Sequence, residues 1–278
     1  MTRSIASPRA SLLGCVAVAA LAIAAPAKLA FGQQSPAPNQ ASQEKPGSNA
    51  QQAPAAPKAD PAEEVAYKAF YDASLQDVDK KIQLGEDFVQ KYPASRYDES
   101  VYAVLVQEYM TKRDWTKFNN AADNALALDP DNVSVLTTVG WVTPHTYNAS
   151  DPNAAANLDK SEKYEKHAID LLGTLPKPAN MTDEQFAQSK SEELVQAHSG
   201  LGLVYFRRGQ FDDSSKELQQ STQAASHADP TDFFILGIDY ENLKKNPEAA
   251  DAFDHCAQIP GGLQDRCKQE ADKVKKAK

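Results

Sequence analysis

The sequence has little of what catalytic, metal-binding or nucleic-acid-binding sites require. It contains only three cysteines, and its five histidines lie far apart along the chain. None of the histidines belongs to a metalloprotease motif, and no nucleophile elbow, phosphate loop or calcium loop is present. The net charge of −9 argues against nucleic acid as a ligand, because phosphate binding needs clustered positive charge. The sequence therefore predicts a non-catalytic protein with no cofactor and no metal.

The first 32 residues have the pattern of a secretory signal peptide. Arg3 and Arg9 precede an apolar run over residues 12–25, which is shorter than the ~20 residues of a membrane-spanning helix. Small residues allow cleavage after Ala27 or after Gly32. We expect an exported protein, periplasmic or secreted, with no integral membrane span once the signal is removed. A retained N-terminal anchor is the alternative.

Cys15 offers a second alternative, because it ends the stretch Leu12-Leu13-Gly14-Cys15, which is similar to a lipoprotein cleavage box. In that case Cys15 would become the lipidated first residue. The apolar run lies mainly after Cys15, however, whereas a lipoprotein signal places it before the cysteine. We therefore favour cleavage after Ala27 or Gly32.

Residues 33–60 contain no valine, isoleucine, leucine or aromatic residue and are rich in proline, glutamine and alanine. Such a segment cannot bury enough apolar surface to offset its ordering entropy, and we expect a disordered linker. From residue 61 to residue 278 the apolar spacing is helical, and almost no segment alternates as a strand would.

Two stretches of the helical region repeat the pattern Leu-Gly-x-x-Tyr at an offset of 35 residues. The first is Leu201-Gly202-x-x-Tyr205 and the second is Leu236-Gly237-x-x-Tyr240. A glycine inside a helix costs about 1 kcal/mol relative to alanine. Its recurrence at matching places predicts a close approach of two helices, which a side chain would prevent. The tyrosine one turn later is expected to cover the same contact.

These residues resemble the tetratricopeptide repeat (TPR), a 34-residue helix–turn–helix unit. The unit at 230–261 matches with Phe233, Leu236, Gly237, Tyr240, Ala249, Phe253 and Cys256. The unit at 99–130 matches with Tyr102, Leu105, Tyr109, Ala125 and Pro130, but it has Val106 in the glycine position and exchanges large and small residues at Phe118 and Ala122. The unit at 195–230 matches with Leu201, Gly202 and Tyr205, and departs at His198 and Ser214. The resemblance implies an all-α, right-handed solenoid.

Two further units, at 62–93 and 133–176, are less regular. The second carries Gly140 in the glycine position, and its first helix is expected to stop at a polar insertion over residues 142–158. Thr182 and Gln185 form a predicted capping box that opens a long helix running into the unit at 195–230. Residues 262–277 are predicted to form a terminal helix that caps the last unit.

Cys256 and Cys267 remain after signal removal, an even pair in an exported chain, and we expect them to form a disulfide between the last unit and the capping helix. A metal site that adds His255 is the alternative. Adjacent helical positions point about 100° apart, however, and structural zinc usually needs four ligands.

The TPR resemblance implies that helix A of each unit lines a concave groove that binds a protein or peptide. The predicted groove residues are Gln107, Met110, Trp141, Leu203, Phe206, Arg207, Phe234 and Ile238. Trp141 and Phe206 could instead pack beneath the 142–158 insertion or against a neighbouring unit. Alternative functions are an outer-membrane assembly lipoprotein, a non-catalytic subunit of an envelope enzyme complex, or a self-associating structural protein. The partner, the pathway and the oligomeric state cannot be read from the sequence.

Overall fold

The structure is a computed structural model that describes residues 60–225 and 228–277. The predicted signal peptide, Cys15 and the linker up to residue 59 lie outside the described residues. Within the described ranges every regular element is an α-helix. The first six are α1 (Pro61–Asp72), α2 (Val78–Lys91), α3 (Asp98–Lys112), α4 (Trp115–Leu128), α5 (Val133–His145) and α6 (Ala154–Thr174). The remaining five are α7 (Asp183–Arg207), α8 (Phe211–Ala224), α9 (Pro230–Asn242), α10 (Asn246–Gln258) and α11 (Gln264–Lys276).

Short polar residues start several of the helices. Asp60, Asp77, Asp114, Asn132 and Asp229 each accept a hydrogen bond from a backbone N–H of the first turn that follows. These bonds satisfy donors that have no partner within the helix.

The predicted capping box is present at the start of α7. Thr182 Oγ1 accepts from the Gln185 backbone N–H at 3.1 Å, and Gln185 Oε1 accepts from the Thr182 N–H at 3.0 Å. As predicted, α7 is long, with 25 residues.

The turns between helices A and B of three units share one backbone feature. Arg113, Gly209 and Lys244 all have a positive φ, between 58° and 73°, and each follows the end of a helix. Only glycine adopts this left-handed conformation without a steric cost. The sharp turn is thus kept in all three units, although only one of them has glycine there.

Helices pack as consecutive pairs, α1 with α2 through α9 with α10, and α11 covers the last pair. The first half is held by aromatic side chains, in which the Tyr67 and Tyr97 rings stack with centroids 3.8 Å apart and Phe88 lies against both. A second apolar cluster joins α9, α10 and α11 to Leu203 and Leu218 of the preceding pair.

The prediction that the first helix of the 133–176 unit stops at residue 142 is wrong. Helix α5 continues through Pro144 to His145. A proline inside a helix lacks the N–H that would bond to the carbonyl four residues earlier, here that of Gly140. Ser161 of α6 replaces this donor, since its Oγ donates to the Gly140 carbonyl at 2.7 Å. The connection to α6 is therefore shorter than expected, residues 146–153.

Candidate functional site

The predicted groove residues lie on α3, α5, α7 and α9, the first helices of their pairs, and we call this surface the helix-A face. Four of the eight predicted residues are interior. Trp141 is 8% exposed, and Met110, Leu203 and Phe234 are also buried. The Trp141 ring lies over that of His145, with centroids 3.9 Å apart, and the guanidinium of Arg266 lies 4.7 Å from the Phe234 ring. In this conformation these four side chains belong to the core and are not open to a partner.

The other four predicted residues are half-buried. Phe206, Arg207 and Ile238 lie on α7 and α9, and we call these three residues the open patch. Phe206 contacts Phe211 edge-on, with centroids 6.2 Å apart, and both Phe206 and Ile238 pack on the same apolar cluster. Gln107 lies further along the face, where its Nε2 donates to Thr138 Oγ1 at 2.7 Å.

Arg207 is held in place by the end of α5. Its Nε donates to the Pro144 carbonyl at 3.1 Å, and its guanidinium lies 5.5 Å from the centre of the Tyr147 ring. Nearby, His145 donates Nδ1–H to the Trp141 carbonyl at 2.7 Å, and burial lowers the pKa of His145 to about 4. The imidazole is therefore neutral near pH 7, and Arg207 is the cation of this region.

Three residues of this region were missed by the sequence analysis: His145, Tyr147 and Arg266. The first two were assigned to a polar insertion, and Arg266 was treated only as part of the capping helix. Pro144 is the reason, because a proline usually ends a helix and the last turn of α5 was therefore interpreted as a loop.

The predicted packing glycines do make close contacts, each with the second helix of its own pair. A Cβ at Gly202 would lie 2.7 Å from Leu218 side-chain atoms, and one at Gly237 would lie 2.5–2.7 Å from the Phe253 ring. Real Cβ atoms essentially never come that close, so the side chains of α8 and α10 occupy the space that glycine leaves. The predicted reason for the glycines thus agrees with the geometry.

The predicted role of the repeat tyrosines needs correction. They were expected to cover the glycine contact within their own unit. Instead, Tyr109 Oη donates to Glu86 Oε1 at 2.7 Å, and Tyr240 Oη accepts from Gln219 Nε2 at 2.6 Å. Tyr205 Oη lies 3.4 Å from Glu162 Oε1. The partner is in each case on the second helix of the preceding pair, because the tyrosine projects one turn beyond the glycine. The tyrosines therefore link successive units.

The remaining predicted packing residues take interior places. Tyr102 and Tyr205 are half-buried, and the others are buried: Leu105, Tyr109, Leu201, Leu236, Tyr240, Ala249 and Phe253.

Gly140 accommodates a carboxyl group and not an apolar side chain. A Cβ at Gly140 or at Gly200 would overlap the side chain of Glu165, which is 0% exposed. Neither carboxyl oxygen of Glu165 has a hydrogen-bond partner among the described residues. Burial raises the pKa of Glu165 well above its usual value, and the nearby Glu193 adds to the increase. Both effects favour the protonated, neutral form of Glu165.

Glu193 is a second buried acid beside it. Its Oε2 accepts from Thr137 Oγ1 at 2.5 Å, across the contact between α7 and α5. Burial raises the pKa of Glu193 to about 7, although the Thr137 bond acts in the opposite direction. The acidic residues of this chain are therefore not all on a solvated surface.

Cys256 and Cys267 are joined by a disulfide that links α10 to α11. Thiols bonded to each other are not available as metal ligands. His255 is turned elsewhere, with its ring 5.3 Å from that of Phe233. Across residues 60–225 and 228–277, no group of three or more His, Cys, Asp or Glu side chains is placed to hold a metal ion. Over the same residues, no helix combines the length and apolar character needed to cross a membrane.

Five successive helix pairs and the covering helix α11, with glycine contacts inside pairs and tyrosine links between pairs, define the described part of the chain as an α-solenoid of the tetratricopeptide-repeat type. Comparison with the solved structure of PilW agrees. PilW, a widely conserved type IV pilus biogenesis factor, matches over 78% of this chain and 87% of its own, with a TM-score of 0.55 and 16% identity. A thermophilic TPR protein of Thermus thermophilus, TTC0263, matches over 76% and 95%, with a TM-score of 0.46 and 14% identity.

No protein-family model matches the sequence, and the search of curated proteins gives no match. At 16% identity, the likeness to PilW shows the fold alone. The chain has the TPR solenoid fold.

Proposed function

We propose that this chain is an exported, non-catalytic scaffold that binds a protein or peptide at the open patch of its helix-A face. The observation that carries this proposal is the partial accessibility of Phe206, Arg207 and Ile238, while Met110, Trp141, Leu203 and Phe234, the other apolar residues predicted for that face, are buried. Interfaces are enriched in aromatic residues and arginine, and such residues often supply most of the binding energy.

The chemistry of the patch suggests the kind of segment it binds. Phe206 and Ile238 offer an apolar surface, and Arg207 places one cation beside it. The Arg207 side chain is already ordered by Pro144 and Tyr147, so that less conformational entropy is lost on binding. A segment with an apolar side chain next to a carboxylate or carbonyl group would complement this arrangement.

Export is part of the proposal. It is supported by the signal-peptide pattern of residues 1–32 and by the disulfide, since disulfides persist in oxidising compartments. A periplasmic or envelope-associated location would also suit the likeness to PilW, a pilus biogenesis factor. Mass spectrometry of the mature N-terminus distinguishes cleavage after Ala27 or Gly32 from lipidation of Cys15.

Site-specific photo-crosslinking in cells tests the binding site. A photoreactive phenylalanine analogue replaces Phe206 or Ile238, and a matched control replaces Gln223, which is exposed on α8. We expect the same adduct from positions 206 and 238 and none from position 223. Equal labelling at all three positions, or labelling at 223 alone, would place the binding site elsewhere.

The partner identified by crosslinking then allows an affinity measurement. Phe206→Ala should weaken binding by about 1–3 kcal/mol, the range for an aromatic anchor in an interface. The melting temperature should change little, because Phe206 is only half-buried. Trp141 is unsuitable for this test, since its removal would leave a cavity in the core.

A further inference from the structure

The contact between α8 and α9 contains two buried serine–aspartate pairs. Ser214 Oγ donates to Asp239 Oδ2 at 2.5 Å, and Ser221 Oγ donates to Asp232 Oδ2 at 2.6 Å. The two serines are seven residues apart on α8, and the two aspartates are seven residues apart on α9. Residues at that spacing lie on one side of a helix, two turns apart. We call these four residues the serine–aspartate seam.

The two carboxyl groups of the seam differ in how completely they are hydrogen-bonded. Asp232 also accepts from Ser199 Oγ of α7 at 2.8 Å, so both of its oxygens have donors. Asp239 has a donor for Oδ2 only, and its Oδ1 is buried without a partner among the described residues. Both side chains are at most 1% exposed. A charged carboxylate in such a place is costly unless it is fully hydrogen-bonded or paired.

The repeat register shows that the fold does not require acids at these positions. With the 35-residue offset between the Leu-Gly-x-x-Tyr patterns, Asp232 corresponds to Ala197 and Asp239 corresponds to Val204. Ala197 and Val204 are buried. An apolar residue is therefore sufficient at both positions, although Glu108 of α3, two residues after Val106, is a buried acid at the position of Asp239.

Charged side chains near the seam bond to other groups. The facing helices carry His198 paired with Glu217, Lys216 paired with Asp212 and Asp213, His255 near Asp251, and Lys273 paired with Glu241 and Glu270. Arg266 of α11 lies over the Phe234 ring. The charged group that acts on Asp232 is another acid, Asp229. No cation among the described residues bonds to either carboxyl group of the seam.

We propose that the serine–aspartate seam is a pH-sensitive joint between the fourth and fifth helix pairs, closed while its carboxyl groups are protonated and loosened as they ionise. The proposal concerns α8 and α9 themselves and does not depend on the proposed partner binding.

The direction follows from where the protons are held. Burial raises the pKa of Asp232 to about 7, with Asp229 adding to the effect, and burial raises the pKa of Asp239 to about 8. A solvated aspartate has a pKa near 3.9. Loosening therefore releases protons between about pH 4 and pH 8, and each released proton increases the opening equilibrium about tenfold per pH unit. Above about pH 8 the effect levels off. The closed joint is the acid form.

The apolar contacts across the same interface limit the opening. Leu218 of α8 packs in one cluster with α9, α10 and α11. We therefore expect a local loosening of α8 and α9 with the disulfide-linked α10–α11 pair intact, and not loss of the whole fold.

Hydrogen exchange measured by mass spectrometry between pH 5 and pH 9 tests the joint, after correction for the pH dependence of intrinsic exchange. In the wild-type protein, the protection of α9 amides should fall at least tenfold between pH 5 and pH 8. The protection of α3 and α4 should fall less. The neutral variants Asp232→Asn and Asp239→Asn should each reduce the pH dependence in α9, and Asp213→Asn, on the exposed side of α8, should leave it unchanged.

A second variant covers the case in which the asparagine variants fold poorly. Asp232→Ala combined with Asp239→Val restores the residues that the preceding unit has at these positions, and it should protect α9 equally at pH 5 and pH 8. The joint is refuted if wild-type α9 shows no loss of protection with pH. It is also refuted if the neutral variants keep the full wild-type dependence.

Discussion

Replacing Glu165 by leucine should stabilise this protein, although Glu165 is completely buried and fits closely between two glycines. Glu165 takes the place on α6 that Leu218 takes on α8, since each side chain fills the space beside a helix-A glycine, Gly140 or Gly202. Leucine is therefore already known to fit this kind of site within the same chain.

The magnitude follows from what is removed. A buried polar group without a hydrogen-bond partner costs about 1–3 kcal/mol, and neither oxygen of Glu165 has such a partner among the described residues. Exchange of buried ionisable groups for apolar residues of similar volume can stabilise a protein by about 1–4 kcal/mol. We expect Glu165→Leu to raise the free energy of unfolding by about 2–4 kcal/mol at pH 7.5.

The gain should depend on pH in a definite direction. In the folded protein the pKa of Glu165 is raised well above its usual value, whereas in the unfolded chain it is near 4.3. The stability that the wild-type protein derives from holding this proton is complete below the unfolded pKa and is lost as pH rises toward the folded pKa. The advantage of the leucine variant should therefore grow by up to about 1.4 kcal/mol per pH unit over that range.

Urea unfolding at pH 5 and pH 8 measures both quantities. Glu165→Gln is the matched variant, because it removes the titration but keeps a buried polar group. Asp170→Leu, on the exposed side of α6, is the surface control and should stay within about 0.5 kcal/mol of wild type. If Glu165→Leu is less stable than wild type at both pH values, the carboxyl group has partners and the reasoning fails. A gain that is the same at pH 5 and pH 8 would refute the assigned protonation state.

Two further predictions concern the repeat contacts and the cap. Gly202→Leu and Gly237→Leu should each cost about 1–3 kcal/mol by overpacking a helix pair, and urea midpoints measure this loss. Gly173→Leu should not be destabilising, since no atom lies within 4 Å of its added Cβ; equal losses at all three positions would contradict the packing argument. Reduction of the Cys256–Cys267 disulfide should raise hydrogen exchange in α11 first, with a loss of roughly 3 kcal/mol in the chain-entropy model; detection of two free thiols before reduction would rule the disulfide out.

The repeat architecture could be predicted from the sequence because its signals are local. Gly202 and Gly237 lie inside helices at an offset of 35 residues. Glycine is destabilising inside a helix, so its recurrence at the same place indicates a shared contact. The capping box at Thr182 likewise depends on residues only three apart. Helix periodicity and cap chemistry act within one or two turns, so that a single sequence reveals them.

The interior acids could not be recognised in the same way. Glu165 occurs in a helix rich in charged residues, and Asp232 and Asp239, like other acids, would ordinarily face solvent. Their burial depends on the stacking of neighbouring units, which is a property of the whole solenoid. The repeat register did contain a signal, because it aligns Asp232 with Ala197 and Asp239 with Val204. The acids at these two positions therefore stand where the neighbouring unit has buried apolar residues.

The variation between units follows one physical rule, the conservation of volume across each helix pair. At α9–α10 a glycine faces Phe253, at α7–α8 a glycine faces Leu218, and at α5–α6 a glycine faces Glu165. In the α3–α4 pair the large and small residues change places. Val106 takes the glycine position, and Ala122 takes the position of Phe253, sixteen residues later. Cores tolerate such changes when total volume is kept. Paired changes of this kind replace the residues that define the motif, but the two helices still pack against each other. The same rule explains how the solenoid fold persists in a sequence that no family model matches.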